Sequence, residues 1–561
     1  MAATNLSEMH RATALRLGPR VALREKRDGL YHDTSWTDYR RRADRAAAGL
    51  IARGIRPGDR IGLLAENSVD WLTADIAVLA TGAIDVPIHA PSAPAQVEYQ
   101  LAHSGARGVI VSGQAQANKV LACVERLPDL EFLVSFVPVD TSDKIPTLTW
   151  DGLIQVGARE GTFGAGLVEK REAALGRDDV ATIIYTSGTT GNPKGVMLTH
   201  GNLLSNAEAT LAISDLTESD VLLSWLPYSH IYARTVDHYL CILGGATICL
   251  AQSQETLILN LAETQPTWMT AVPRFYEKVW ASVEALPPAA RDATLHRIFG
   301  PRIKRLSSGG APLPKHLAES FVAIGLPLYQ GYGLTESSPV ITFNYEGHDK
   351  IGTVGAAIPG VAIKIADDGE ILTKGPHVMK GYWKDDAATR ATIVDGWLHT
   401  GDVGHIDADG YLTITDRKKD LMVTSGGKNV APAELERMLT RDELIDQAVV
   451  FGDARPFVSA LIVPNLDRLH AALGRPDFAV DDDLIVDPAV HALLKEHVDR
   501  IMGDVSQPER VRAFLVLARP FQIESNEMTA TMKVRRSFVI TKYHDRLESL
   551  YRGSKTQACD G

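Results

Sequence analysis

VATIIYTSGTTGNPKG, residues 180–195, is the stretch on which the reading of the fold turns. Val180 to Tyr185 form an apolar, β-branched run that predicts a buried strand. A Ser/Thr/Gly loop follows and closes on Lys194. Gly188 and Gly191 let backbone N–H groups approach an anion closely. Thr186, Ser187, Thr189 and Thr190 add hydroxyl donors, and Lys194 adds a positive charge. The residues point to polyphosphate binding. GxxxxGK followed by Ser or Thr is absent, which argues against a P-loop NTPase. Such a loop without the strand and the lysine would read as a flexible linker.

Outward from this loop, helical and strand signals alternate. Ala43, Ala46, Ala47, Leu50 and Ile51 recur at helical spacing within 37–53, and Gly54 supplies a stop. RIGLLAE (60–66) and GVIVS (108–112) read as short buried strands. The alternation predicts an α/β body of helix-covered parallel sheets. Between Gly352 and Gly381, glycines punctuate short strands, predicting a β-rich subdomain. A flexible joint is expected between Trp397 and the charged run Asp416 to Asp420. The boundary is set at 418/419, giving a large N-terminal domain (1–418) and a small mobile α+β domain (419–561).

The chain has 561 residues, 58 basic against 69 acidic side chains, a net charge of −11, and 45% hydrophobic residues. That balance fits a folded protein with a substantial core and argues against a nucleic-acid-binding surface. Cys123, Cys241, Cys249 and Cys559 lack metal-ligand spacing, which argues for a reducing compartment. No secretory signal is evident, and no apolar run reaches the roughly 18 residues of a spanning helix. The nearest, Trp71 to Ile88, contains Asp75 and Asp85 and reads as a core helix leading into a strand. A cytoplasmic protein with room for peripheral membrane contact is the expectation.

Further motifs follow in order: LPYSHIYAR (226–234), AVPRFYEKVW (271–280), SSGGAPLP (307–314), YQGYGLTESSP (329–339), WLHTGDVGHIDADGYLTITDRKKD (397–420), SGGKNVAPAELE (425–436) and NEMTATMKVRR (526–536). With the phosphate loop they resemble the adenylate-forming superfamily of acyl-CoA synthetases, luciferases and peptide-synthetase adenylation domains, and most of all its long-chain fatty acyl-CoA synthetases. The resemblance spans about Arg60 to Arg536.

It implies that His230 orients the acyl carboxylate or helps to shape the acyl pocket, flanked by Tyr228, Ser229 and Tyr232. AVPRFYEKVW would run along an acyl tunnel, or else be ordinary helix core. Gly309, Gly310 and Ala311 would wall the adenine. Tyr332 would stack on it, with Gly333 beside. Thr335 would bond the α-phosphate, and Glu336 with Thr189 would hold Mg²⁺. Asp402 and Arg417 would hold the ribose, and Lys419 would be the hinge. Gly426, Gly427 and Lys428 would receive CoA, and Lys533 would be the catalytic lysine. Ala530 stands where the family often has Pro. Asp407-Ala408-Asp409-Gly410 lacks the remaining EF-hand ligands, so calcium is rejected.

The implied activity is ATP-dependent fatty acid–CoA ligation through acyl-AMP with release of pyrophosphate. Its partners would be fatty acid, ATP and CoA, with no nucleic acid. The alternatives are adenylation of an aryl or medium-chain acid, transfer to an acyl carrier protein, or a non-catalytic nucleotide-binding scaffold.

Overall fold

A computed structural model describes residues 3–163, 166–186, 193–418, 422–423, 429–430, 432–523, 525–529 and 534–551. The chain divides into two units. The first comprises Met1–Lys364, Leu372–Thr400 and Ile406–Thr413; the second comprises Ile365–Ile371, Gly401–His405 and Ile414–Gly561.

The predicted strand at 180 is present as Val180–Thr186, and it is half of a hairpin. Lys194–Thr199 returns antiparallel, with Thr186 opposite Lys194 and Tyr185 opposite Gly195. The second strand is mostly buried, with Val196 and Leu198 fully so and only Lys194 and Met197 half-buried. The Ser/Thr/Gly loop therefore joins two strands, unlike a P-loop, which leads into a helix. At the hairpin's far end, Thr199 caps the helix His200–Ala212. Its hydroxyl accepts the Asn202 N–H at 3.0 Å, and Asn202 Oδ1 accepts the Thr199 N–H at 2.9 Å.

The hairpin belongs to an eight-stranded sheet. Its order is Gly381–Tyr382, Lys194–Thr199, Val180–Thr186, Ile84–Ile88, Arg60–Leu64, Ala106–Val111, Phe132–Ser135 and Thr147–Thr149. From Val180–Thr186 onward neighbouring strands are parallel. A nine-stranded sheet runs Ala356–Ala357, Val340–Phe343, Leu328–Gly333, Arg305–Ser308, Trp268–Ala271, Val221–Ser224, Thr247–Leu250, Val21–Arg27 and Leu30–Ser35. Its centre is parallel and its edges antiparallel. Helix-covered parallel sheets were the expectation. The β-rich stretch is also present, as Ala362–Ile365, Glu370–Lys374, Gly381–Tyr382 and Trp397–Ile406. In the second unit, Ile445–Phe451, Val458–Pro464 and Val511–Val516 make a three-stranded sheet packed against Pro432–Leu439 and Pro488–Ile501.

AVPRFYEKVW forms the helix Pro273–Ala281, whose Phe275, Tyr276 and Val279 pack with Phe299, Phe321 and the sheet residues Leu223, Met269 and Leu306. Ordinary helix core is what the structure shows for these side chains. Trp71 to Ile88 covers most of the helix Val69–Ala80, buried at every residue but Asp70, and the strand Ile84–Ile88. Among the described residues no helix is long and apolar enough to cross a membrane.

Asp75 and Asp85 in that segment are fully buried and share the guanidinium of Arg234, itself fully buried. Arg234 Nη2 lies 2.6 Å from Asp85 Oδ2 and also bonds Asp75; Nη1 donates to Thr182 Oγ1 at 2.7 Å and Nε to Tyr239 OH at 2.9 Å. Two carboxylates for one guanidinium leave an excess negative charge in a low-dielectric core. Burial, with the Asp75 charge beside it, pushes the Asp85 carboxyl up to about 7 in spite of Arg234. Asp75 is held below its usual value, because Arg234 and His238 outweigh its burial.

Folded Asp85 thus keeps its proton at a pH where the unfolded chain has lost it, and its contribution to stability falls as pH rises from about 4 toward 7. Asp85→Asn cannot titrate. Its melting temperature relative to wild type should rise between pH 5 and pH 8 in thermal denaturation. A difference constant with pH would contradict this assignment.

Candidate active site

The site elements lie at the carboxyl ends of parallel strands, where open α/β sheets bind ligands. Lys194 begins the hairpin's return strand. Its ammonium stands 4.9 Å from the ring centroid of Tyr382. Tyr382 pairs with Val196 across the sheet edge, and its hydroxyl donates to Glu336 Oε1 at 3.0 Å. Tyr382 therefore joins two residues that the sequence places 142 positions apart. The hairpin's exit is held by Tyr99, whose hydroxyl donates to Pro193 O at 3.0 Å.

Glu336 sits in the short turn Thr335–Ser337, directly after the strand Leu328–Gly333 that carries Tyr332. A Cβ on Gly333 would lie 1.7 Å from Pro339 O, so only glycine fits. Asn206 fixes the far side of the turn, donating to Val340 O at 2.8 Å and accepting from Val340 N–H at 3.2 Å. The Met379 N–H donates to Glu336 O at 2.9 Å. Tyr332, Gly333, Thr335 and Glu336 are all half-buried.

Tyr228, Ser229 and His230 form one turn after the strand Val221–Ser224. Asn67 clamps it with both ends of its amide: Nδ2 donates to Leu226 O at 2.7 Å, and Oδ1 accepts the Tyr228 N–H at 3.0 Å. His89, just past the strand Ile84–Ile88, places Nδ1 3.2 Å from Ser229 Oγ. Burial, with Lys119 nearby, lowers the His89 imidazole to about 4, so the ring is neutral near pH 7. The Tyr232 N–H donates to His230 Nδ1 at 3.2 Å. With Nδ1 accepting, the proton of a neutral His230 is on Nε2, which makes that atom a hydrogen-bond donor of the kind a carboxylate needs.

Gly309 is buried against the Tyr232 ring, where a Cβ would meet Cζ at 2.8 Å. Gly310 is exposed with φ +78°, and Ala311 is half-buried. The turn bearing His230 and the glycines expected at the adenine are thereby brought together through one aromatic ring.

In the second unit, Asp402 is buried and accepts from Arg417 Nε at 2.9 Å. Asp416 Oδ1 accepts the Arg417 N–H at 2.6 Å. Asp407 and Asp409 belong to the first unit, where Lys350 bonds both, at 2.7 and 2.9 Å, so a side-chain ammonium already sits at the acidic turn. Ser187, Gly188, Thr189, Thr190, Gly191, Lys419, Gly426, Gly427, Lys428 and Lys533 lie outside the described residues. On either side of Lys533, Met528 bridges Val534, and the Arg535 N–H donates to Glu527 O at 2.8 Å. The buried Glu527 carboxylate accepts from Arg519 and Lys542, each at 2.8 Å.

The chain belongs to the AMP-binding enzyme family. That family matches residues 11–383, and its C-terminal domain matches residues 419–555. Long-chain-fatty-acid–CoA ligase FadD15 of Mycobacterium bovis is 34% identical, with 93% of each chain covered. Long-chain-fatty-acid–CoA ligase ACSBG2 of Xenopus laevis is 28% identical, covering 98% of this chain and 84% of the relative. Among solved structures, the A domain of carboxylic acid reductase from Segniliparus rugosus, in complex with AMP and a co-purified carboxylic acid, superposes with a TM-score of 0.81. It is 21% identical and covers 98% of this chain and 94% of its own. Anthranilate CoA ligase AuaEII with anthranoyl-AMP gives a TM-score of 0.78 at 21% identity, covering 98% and 99%. The mixed α/β fold is that of adenylate-forming enzymes.

Tyr382, Asn67 and His89 escaped the sequence reading. Each is a single polar residue outside any Gly-rich or charged run, and only the sheet order brings it to the site. Asn67→Ala removes two hydrogen bonds worth about 1 kcal/mol each. It should raise the KM for the acid on the order of tenfold and leave the KM for ATP within about twofold, as read by initial rates. Equal changes in both constants would refute a clamp specific to the His230 turn.

Proposed function

We propose that the protein is an AMP-forming fatty acid–CoA ligase acting on long-chain acids. The observation that carries this reading is the union of Lys194, Tyr382 and Glu336 at the phosphate hairpin, in a chain of the AMP-binding enzyme family whose relatives are named long-chain-fatty-acid–CoA ligases.

A free carboxylate is a poor acyl donor, because its leaving group would be oxide. Attack of a carboxylate oxygen on the α-phosphorus of ATP gives acyl-AMP and expels pyrophosphate. One anion must then approach a highly charged polyanion, so positive groups fixed around the developing charge are the main requirement. In this reading Lys194 and the hydroxyls of Thr186, Ser187, Thr189 and Thr190 hold the β- and γ-phosphates. His230 donates from Nε2 to the carboxylate, Thr335 bonds the α-phosphate, and Lys533 bridges the carboxylate and the α-phosphate. Gly309, Gly310, Ala311, Tyr332 and Gly333 hold the adenine. Asp402 and Arg417 hold the ribose, which suits a buried carboxylate already oriented by a guanidinium.

Glu336 fits Mg²⁺ as a hard oxygen donor oriented by Tyr382, with Thr189 as its partner. Among the described residues no group of three or more His, Cys, Asp or Glu side chains gathers to hold a metal. Glu336 and Thr189 are the residues that would hold such an ion. Such an ion supplies charge neutralisation on the transferring phosphate.

In the second half-reaction the CoA thiol attacks the acyl carbonyl and AMP departs. The domain from 419 onward then turns about Lys419, withdrawing Lys533 and presenting Gly426, Gly427 and Lys428 to CoA. The 419–555 match to the family's C-terminal domain supports this division.

Lys533→Ala should reduce adenylation by a factor on the order of 10²–10³ while thioester formation from supplied acyl-AMP persists, measured as separate half-reactions. Equal loss in both would contradict the division of labour. A pyrophosphate-release screen over fatty acids of graded length and aryl acids, with and without CoA, should give the highest rate with a long-chain acid and a CoA thioester as product. Preference for an aryl acid, or a carrier protein as the sole acceptor, would select those readings instead. No turnover of any acid would leave the non-catalytic scaffold.

A further inference from the structure

Tyr99 and His103 stand one helical turn apart on Pro94–Ser104, a helix that the chemistry proposed above does not use. Their rings stack, with centroids 5.3 Å apart and planes 10° from parallel. The Tyr185 ring meets both edge-on, at 6.0 Å from Tyr99 and 5.8 Å from His103. Two hydrogen bonds run from this helix face to the phosphate hairpin. Tyr99 OH donates to Pro193 O at 3.0 Å, and His103 Nδ1 lies 2.9 Å from Tyr185 OH. Tyr185 stands just before the Ser/Thr/Gly loop and Pro193 just after it. One turn of one helix therefore holds both ends of that loop.

The helix that makes these bonds is itself anchored where it ends. Gly105, at φ +67°, terminates it. The last carbonyls of a helix have no partner within it. Here Arg60 donates to Ser104 O at 2.8 Å and to Gly105 O at 2.6 Å, while His103 O accepts from Trp383 Nε1 at 3.1 Å and Lys384 Nζ at 2.8 Å. Cations at this end also suit the helix dipole. Trp383 returns to the hairpin, where its backbone N–H donates to Gly195 O at 2.7 Å. A Cβ on Gly195 would lie 2.8 Å from Ile183 Cγ2 and 3.3 Å from both Tyr185 Cζ and Trp383 Cβ. Glycine is what lets these elements close on the return strand.

Packing alone would account for three rings in contact, but it does not require hydrogen bonds to opposite ends of one loop. Glycine loses more conformational freedom on ordering than any other residue, and Gly188 and Gly191 lie between the two tethers. Holding both ends limits the freedom such a run gives up when it closes on a polyphosphate, which strengthens that binding. We propose that Tyr99 and His103 are positioning residues for the phosphate loop, setting the enzyme's affinity for the β- and γ-phosphates of ATP and for pyrophosphate through the loop's two ends. This rests on the ligase reading above and deepens it.

Tyr99→Phe and Tyr185→Phe keep the rings and each remove one tether, the first at the loop's exit and the second at its entry. In the forward reaction with hexadecanoic acid, each should raise the KM for ATP about fivefold, the change expected from one lost hydrogen bond, and leave the KM for the acid within about twofold. In the reverse direction, ATP synthesis from supplied hexadecanoyl-AMP and pyrophosphate, the KM for pyrophosphate should rise by a similar factor. Thioester formation from hexadecanoyl-AMP and CoA involves no pyrophosphate and should keep its rate and its KM. A merely structural role would move all three reactions together. Unchanged constants for ATP and pyrophosphate in both variants would overturn the proposal, and so would an equal rise in the constants for the acid and CoA. If the wild-type enzyme releases no pyrophosphate with any fatty acid, the ligase reading itself falls, and this inference with it.

Discussion

One guanidinium, that of Arg234, ties together the parts on which the site depends. It reaches Thr182 in the strand that feeds the phosphate loop, Asp85 in the neighbouring strand, Asp75 in the helix between the sheets, and Tyr239 in its own π-helical segment. Its backbone N–H donates to His230 O at 3.2 Å. The turn that orients His230 and the hairpin that carries Lys194 are therefore referenced to the same buried point. Removing the arginine from such a cluster strands uncompensated carboxylates, which typically costs about 3–5 kcal/mol, whereas an apolar replacement of the whole cluster need not. The cluster therefore acts as a spatial reference first, and the stabilisation it adds is a lesser matter.

Around that buried point the active site is made of fixed parts. Asn67 holds the His230 turn at two backbone atoms, Asn206 holds the Glu336 turn at two more, and Tyr382 links Glu336 to the lysine side of the hairpin. The two amide side chains do for irregular turns what a strand neighbour does for a strand: they pair otherwise orphaned backbone groups. Preorganisation of this kind matters most where charge develops, because groups already in position need not reorganise during the reaction.

The α/β architecture was legible from alternating helix and strand signals, and the strand Val180–Thr186 and most of the helix Val69–Ala80 lie where apolar runs placed them. The motifs also named most of the residues now proposed for the site. Three things were not legible. The return strand Lys194–Thr199 was hidden, because Gly195 and the preceding loop dominate its short pattern. Asp75 and Asp85 read only as charges that argue against a membrane span, since the arginine that buries them lies about 150 residues downstream and pairing at that distance has no local signature. The aromatic helix Pro273–Ala281 offered tunnel wall and core as equal readings, and only the side chains opposite it, Phe299 and Phe321, decide for core.

The proposed chemistry rests on one bond-forming event, the attack of a carboxylate oxygen on the α-phosphorus of ATP. Fatty acid labelled with ¹⁸O in both carboxyl positions tests it directly. Single-turnover reaction with ATP and CoA, followed by mass spectrometry of the products, should find one ¹⁸O in AMP and none in pyrophosphate. Label in orthophosphate, with ADP as the nucleotide product, would mean that an acyl phosphate forms instead, and would contradict that chemistry.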